Sequence, residues 1–138
     1  MDAERLKHQY KFRDRMINAI TLDGKFRIAI IKGSHIVETA RKKHELNLIS
    51  TQILGEMLLG TALSTSSLKG EERITFRIES DGDLRLAVCE ANALGEIRGY
   101  IGDKQLSGYG SSLDEMISNA IGKGFLHSTK VIYGNAEP

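Results

Sequence analysis

The sequence has little cysteine, proline or tryptophan, with one cysteine, one proline and no tryptophan in 138 residues. A single cysteine, Cys89, cannot form an internal disulfide framework, which favours a reducing compartment. The charged start, MDAERLKHQYKFRDR, lacks the apolar core of a signal peptide, so no secretory targeting is indicated. We therefore expect a cytoplasmic protein.

An excess of charge of one sign is also missing. Nineteen basic and eighteen acidic residues give a net charge of +1, which offers no electrostatic reason to expect nucleic acid or a membrane surface as a partner. The one basic cluster, residues 41–44, falls in the last turn of a predicted helix, where cations interact favourably with the helix dipole. A nucleic-acid interface would need further basic residues. We expect neither partner, and the length indicates a single domain.

Residues that could build an active site or a metal site are scarce. The chain has four histidines, at His8, His35, His44 and His127. They lie on different predicted elements or nine residues apart, without the spacing of zinc ligands. Cys89 sits in an alternating strand pattern that fits a small buried hydrophobe better than a reactive thiol. We expect no enzyme activity and no cofactor in this chain.

The most distinctive stretch, residues 46–68, is long and almost uncharged, with Glu56 as its only charge. A helix that is apolar on most sides is buried on most sides. The length would also span a bilayer, but Asn47, Gln52 and the Ser/Thr residues from Thr61 onward would be costly in lipid. We predict the central helix of a soluble domain, with Asn47 as its N-cap.

Upstream of this helix, residues 1–13 are polar, and we expect a flexible N-terminal arm. Three apolar residues then have the spacing of one buried face of a short helix or turn: Met16, Ile17 and Ile20. An Asp-Gly turn signal precedes a strand over residues 25–31. Ser34 is the expected N-cap of a second helix, which ends near His44.

Downstream, two alternating runs, residues 72–79 and 83–90, are joined by an Asp-Gly turn, which predicts an antiparallel hairpin. A third strand near residues 96–101 extends the hairpin to a three-stranded meander. The alternation in the second run predicts one shared face for three residues: Leu84, Leu86 and Val88.

The last third of the chain contains one more helix and one more strand. Ser112 and Glu115 form a capping box that starts a short amphipathic helix. Residues 125–133 have the pattern of a strand. The predicted fold class is therefore α/β (α+β), with a mainly antiparallel sheet packed against a long buried helix.

The string LKGEERITFRIESDGDLRLAVCEANALGEIRGYIGD contains Ile97-Arg98-Gly99-Tyr100. This string resembles the N-terminal half of the heat shock protein 33 family, the redox-regulated holdase chaperones, whose signature is Val/Ile-Arg-Gly-Tyr/Val. The strings DRMINAITLDGKFRIAI and ARKKHELNLISTQILGEML upstream, and AIGKGFLHSTK downstream, look like the family's corresponding segments. The resemblance covers about residues 14–138.

The resemblance implies a single chaperone core domain over residues 14–138. The family's redox switch is a C-terminal zinc module with Cys-x-Cys and Cys-x-x-Cys pairs, which this sequence does not contain. No zinc and no redox role for Cys89 are therefore implied. In the family the core continues past the position of Pro138, so we expect the chain to be the front portion of such a chaperone, truncated at its C-terminal end.

The implied function is that of a holdase, which binds unfolded or oxidatively damaged proteins through exposed apolar surface and prevents their aggregation. Holding a client needs no catalytic residue, which agrees with the scarcity of candidate catalytic groups. Two alternatives remain open. One is a small-molecule-binding α/β domain with a pocket near the glycine-rich residues 102–110, and the other is an oligomerisation module.

The last predicted strand is the candidate interaction site. Residues 125–133 have apolar side chains on both faces and only one charged residue, Lys130. If later segments cover this strand in the family, their absence leaves an open edge that recruits a strand from an unfolded client or a second copy. We predict that client binding and self-association, as a homodimer or strand-exchanged oligomer, use four residues: Phe125, Val131, Ile132 and Tyr133.

Overall fold

The computed structural model describes residues 2–132. The helices are α1 (Ala3–Phe12), α2 (Ser34–His44), α3 (Leu48–Ser64) and α4 (Leu113–Ile121), with a 3₁₀ turn at Thr65–Ser67. The strands are β1 (Arg15–Ile20), β2 (Arg27–Lys32), β3 (Arg73–Ser80), β4 (Leu86–Asn92), β5 (Ile97–Ile101) and β6 (Gly124–Val131). The predicted mixed fold with antiparallel sheets is confirmed.

Helix α3 is the buried centre of the domain, as the sequence predicts. Its core-facing apolar residues are Ile49, Ile53, Leu54 and Leu58. The side chain of Asn47 accepts a hydrogen bond from the amide of Ser50 at 3.0 Å, so the predicted N-cap is confirmed. A Cβ on Gly55 would lie 2.9 Å from Cγ1 of Val37, because α2 packs closely against α3 there. No helix within residues 2–132 is long and apolar enough to cross a membrane.

The four-stranded sheet has the order β5-β4-β3-β6, and each neighbouring pair is antiparallel. The face of the sheet that packs against α3 is called the inner face, and the opposite face is called the outer face. In the central strand β4 the buried residues alternate, at Ala87, Cys89 and Ala91. Cys89 stands opposite Phe76 on β3 and Gly99 on β5. The inner face of β4 therefore has small side chains and Gly99 has none, which lets α3 lie close to the sheet there.

The prediction that Leu84, Leu86 and Val88 share one strand face is wrong. Strand β4 begins only at Leu86, and the loop before it holds Arg85 in the left-handed region with φ 59°. Leu84 belongs to this loop and is fully buried, and its amide donates to the carbonyl of Ala120 in α4 at 3.0 Å. The connection spans residues 81–85 and is longer than the predicted connection of residues 80–82, so the buried face of β4 begins one residue later.

The N-terminal part differs from the prediction. Arg15–Ile20 is strand β1, not a helical turn, and it pairs with β2 in a separate two-stranded sheet. Ile17 lies opposite Ile30, and both side chains are more than half exposed, so the predicted buried face is wrong. Long-range pairing with β2 has overridden a local spacing that also fits a helix. Most of the predicted arm forms the exposed helix α1, and the arm's flexibility stays a prediction.

Helix α2 is capped from a distance. Its N-cap is Gly33, with no side-chain hydrogen bond, so the prediction of Ser34 as the N-cap is wrong. The carboxylate of Asp14 instead accepts from the amides of His35 at 3.0 Å and Ile36 at 2.6 Å. A carboxylate satisfies the open amides of a first helical turn as well as a local cap does. This contact fastens the start of β1 to α2.

Gly99 has no room for a side chain. A Cβ at this position would lie 2.6 Å from Sγ of Cys89 and 3.1 Å from Cδ2 of Leu58. We expect Gly99→Val to lower the midpoint of thermal unfolding by several degrees, because overpacking of this kind costs about 1–3 kcal/mol. The matched control is Gly60→Val, where nothing lies within 4 Å of the added Cβ. Calorimetry that shows equal midpoints for the two variants would contradict this packing.

Cys89 is fully buried, as predicted. Burial raises the pKa of its thiol to about 12, against a smaller lowering by a hydrogen bond with Thr61. Because the thiolate is the reactive form, we expect a thiol-reactive dye to label the native protein slowly and the denatured protein rapidly. Equal labelling rates in the two states would show that the strand opens readily to solvent.

Candidate functional site

Strand β6 forms one edge of the four-stranded sheet. It pairs with β3 from Gly124, opposite Ser80, to Val131, opposite Arg73. Within the described part of the chain no strand pairs with its other side. Every residue of the strand is exposed. The strand thus presents two faces and one row of backbone groups to solvent.

The turn before β6 is built around glycine. Helix α4 ends at Gly122, whose φ of 69° is in the left-handed region that favours glycine. The side chain of Asp81 accepts from the amide of Lys123 at 2.7 Å, which ties the turn to the end of β3. A Cβ on Gly124 would collide with the carbonyl oxygen of Glu79. These close contacts lay the start of β6 against β3.

The structure places the predicted site residues at the two ends of β6. Phe125 and Val131 lie on the outer face and are 75% and 41% exposed. They are six residues apart, which is about 20 Å along a strand. Ile132 follows the strand and is exposed, and Tyr133 lies outside the described residues. The predicted residues therefore share an edge but do not form one cluster.

An open apolar groove of about 320 Å³ lies on the inner side of this edge. It separates β3 and β6 from helices α3 and α4. The apolar residues that line it include Met57, Phe76, Ile78, Ile117, Ile121 and Leu126. Leu126 stands opposite Ile78 and is largely exposed. The sequence-based selection missed Leu126, although the alternation of the strand placed it on the face opposite Phe125 and Val131.

Charge protects this edge only at one end. Lys130 forms an ion pair with Glu72 at 3.0 Å. The Lys130 hydrogen bond, followed by a bond from the amide of Lys69, lowers the pKa of the Glu72 carboxyl. Natural edge strands avoid unwanted pairing chiefly through charged side chains, prolines and bulges. Residues 124–129 contain no lysine, arginine, acidic residue or proline, so most of the edge lacks such protection.

The segment that the small-molecule alternative singled out, residues 102–110, packs against the start of α3. The hydroxyl of Ser50 donates to the carbonyl of Asp103 at 3.0 Å, and the side-chain amide of Asn47 donates to the carbonyl of Leu106 at 2.8 Å. Leu106 is buried in the core. The glycine-rich segment therefore supports the central helix.

A second exposed apolar surface lies on the β1–β2 hairpin. Ile17, Ile28 and Ile30 occupy one face, and Phe26 lies near the turn. Sequence reasoning missed Ile17 as a surface residue because it assigned that position to a buried helical face. Within residues 2–132, no group of three or more histidine, cysteine or acidic side chains is placed to hold a metal ion.

The sequence model of the family described as Hsp33 protein matches residues 14–138. The 33 kDa chaperonin of Desulforamulus reducens is 34% identical over 127 residues, which cover 91% of this chain and 43% of that protein. The 33 kDa chaperonin of Aquifex aeolicus is 31% identical over 131 residues, which cover 91% of this chain and 40% of that protein. The chain thus spans about two fifths of the length of these relatives.

The fold leads to the same family. The crystal structure of the 33 kDa chaperonin (heat shock protein 33 homolog) from Thermotoga maritima matches with a TM-score of 0.81 and 29% sequence identity. The match covers 87% of this chain and 42% of that one. The family resemblance inferred from the sequence motifs is confirmed, and the chain belongs to the Hsp33 family.

Proposed function

We propose that this chain is part of a holdase chaperone, which binds unfolded or oxidatively damaged proteins and prevents their aggregation. The observation that carries the proposal is strand β6, an open edge with an apolar groove beside it. Contiguous exposed apolar surface of this kind marks an interaction site. The names of the matched relatives, which are chaperonins, support the same function.

An unfolded client exposes backbone hydrogen-bonding groups together with apolar side chains. A client segment that adds to the open side of β6 satisfies both kinds of group at once. Its alternate side chains lie on the two faces of the sheet. Those on the inner face reach the groove beside Leu126, and those on the outer face lie near Phe125 and Val131. Because the backbone supplies the hydrogen bonds, many client sequences fit.

The same edge can take a second copy of the chain. Two identical edges can pair in antiparallel fashion around a two-fold axis, because the open backbone amides of each edge donate to the open carbonyls of the other. We therefore include in the proposal a homodimer, or an oligomer that pairs or exchanges terminal strands. The sparse charge along residues 124–129 favours such pairing. Self-association and client binding then compete for one surface.

The proposal has no catalytic step, because holding a client requires buried apolar area and no bond chemistry. It also places the chain in the cytoplasm, without nucleic acid or membrane as a partner. A small-molecule-binding domain is the second candidate, since the groove of about 320 Å³ falls in the usual range for ligand sites. A thermal shift with a metabolite panel, beside a client-aggregation assay, separates the two functions.

The substitution Val131→Lys tests the role of the β6 edge. It adds a charge at the open edge, opposite Arg73 in the register, and removes an exposed apolar side chain. We expect weaker suppression of light scattering from a chemically denatured client, so that several-fold more protein is needed for the same effect. We also expect weaker self-association in sedimentation velocity.

The control is Leu94→Lys, which makes the same change of side chain at a residue 81% exposed between β4 and β5. It should leave both measurements unchanged. A monomer at high concentration in the parent protein, together with full client holding in Val131→Lys, would reject the β6 mechanism.

We further propose that the chain binds no zinc. The sequence lacks the paired cysteines that form the family's zinc module, and its single cysteine is buried. Elemental analysis of the untagged, purified protein should find far less than one zinc per chain. A stoichiometric content that survives dialysis against a chelator would reveal a metal site that the proposal denies.

A further inference from the structure

The opposite edge of the sheet, strand β5, is open as well. Within the described residues it pairs only with β4. The amide of Gly102 donates to the carbonyl of Leu86 at 2.7 Å, and the amide of Asn92 donates to the carbonyl of Glu96 at 3.1 Å. These bonds lie at the two ends of the β4–β5 ladder. They determine which of the residue pairs between them are hydrogen-bonded.

In an antiparallel ladder, hydrogen-bonded pairs alternate with pairs whose backbone groups point away. Because both end pairs are hydrogen-bonded, every second pair between them is hydrogen-bonded too. The backbone amides and carbonyls of Arg98 and Tyr100 therefore face β4. The backbone groups of Ile97, Gly99 and Ile101 therefore point to the open side. They offer a short row of donors and acceptors to an added strand.

A groove of about 390 Å³ lies between this edge and helix α2. Its apolar lining comes from Ile36 and Ala40 on α2, Leu58 on α3 and Ile97 on β5. Gly99 has no side chain, so nothing from the middle of β5 projects into the groove. Residues paired across a ladder point to the same face. A side chain that an added strand places opposite Gly99 would therefore enter the groove.

The rim of the groove is basic. The lining residues with charged or titratable side chains are His35, Lys43, His44 and Arg98, and none of the lining residues is acidic. The guanidinium of Arg98 already pairs with Glu90 of β4 at 2.7 Å, so the positive charge open to a partner is chiefly that of Lys43. Lys43 forms no ion pair within the described part of the chain. Its neighbours Arg41 and Lys42 differ, because both pair with Glu38 and lower the pKa of that carboxyl to about 2. Charge complementarity thus favours an acidic partner.

We propose that the β5–α2 groove binds an extended peptide segment in which an apolar residue is flanked by acidic residues. The segment adds to the open edge of β5 as a further strand, with the apolar side chain opposite Gly99. The inference rests on the proposed function in one respect, because unfolded clients supply extended segments. It concerns a different edge of the sheet from β6, so each proposal can fail alone.

Two fluorescein-labelled peptides, EEVLVEE and KKVLVKK, test the proposal by fluorescence anisotropy. Both place a central leucine on the groove side and differ only in charge. We expect EEVLVEE to bind about tenfold more tightly than KKVLVKK. N-methylation of alternate amides on the side that pairs with β5 should abolish binding, because it removes the ladder hydrogen bonds. Equal affinity for the two charged peptides, or binding that survives N-methylation, would overturn the proposal.

Charge reversal on α2 locates the site. Lys43→Glu should weaken EEVLVEE binding and strengthen KKVLVKK binding. Lys42→Glu is the matched control, since Lys42 is exposed on the same helix but does not line the groove. The control should leave both affinities within about twofold of the parent. The proposal is overturned if neither peptide binds at millimolar concentration, or if both variants respond alike.

The β6 variant separates the two edges. Val131→Lys should not change EEVLVEE binding, whatever it does to client holding. In hydrogen exchange, the bound peptide should protect the amides of Ile97, Gly99 and Ile101. Binding that is lost in Val131→Lys but retained in Lys43→Glu would place the peptide on β6 and refute the β5 site.

Discussion

The close contact between helix α3 and the middle of the sheet is the constraint on which the rest of the structure depends. Cys89 lies between Gly99 and Phe76 in the register, and Leu58 of α3 packs directly over Gly99. Small residues along β4 leave room for the helix axis to approach. A side chain on Gly99 would meet Sγ of Cys89 and Cδ2 of Leu58, so this contact has no room for one.

This central contact also determines which part of the sheet's inner face α3 covers. Four strands span about 14 Å between the outer two axes, whereas a helix with its side chains is about 10 Å wide. Helix α3 lies over β4 and β5, so it does not reach β6 at the far edge of the sheet. Helices α2 and α4 flank α3 but leave one groove each, beside β5 and beside β6. The groove beside β6 is thus a geometric result of where α3 packs, whereas the groove beside β5 lies between that strand and α2.

Local patterns in the sequence predicted the elements well. The uncharged run predicted α3 and its Asn47 cap, and strict alternation predicted the meander. Ser112 predicted the start of α4. The last strand and its sparse charge were also visible from the sequence alone. The errors have a common physical cause, because each depends on a distant partner. Strand β1 is fixed by pairing with β2, and α2 is capped by Asp14 across more than twenty residues.

The candidate site was only partly visible for the same reason. Alternation along β6 identified Phe125 and Val131 as surface residues but did not show that Leu126 would face a groove. That groove is formed by four elements that are far apart in the sequence, and no local pattern encodes it. The groove beside β5 is similar, since Gly99 stood out in the sequence only as part of the family signature. The structure shows that its backbone also faces an open edge.

The two edges differ in their electrostatics, and for this reason the two proposals assign them different partners. At β6 the one lysine is paired with Glu72, and the groove lining is almost entirely apolar. Binding there depends on apolar area and backbone hydrogen bonds, which favours many sequences. At β5 the lining is apolar but the rim is basic, so charge selects among segments that would otherwise fit equally. The two proposals thus give the same sheet one edge that accepts many sequences and one edge that selects by charge.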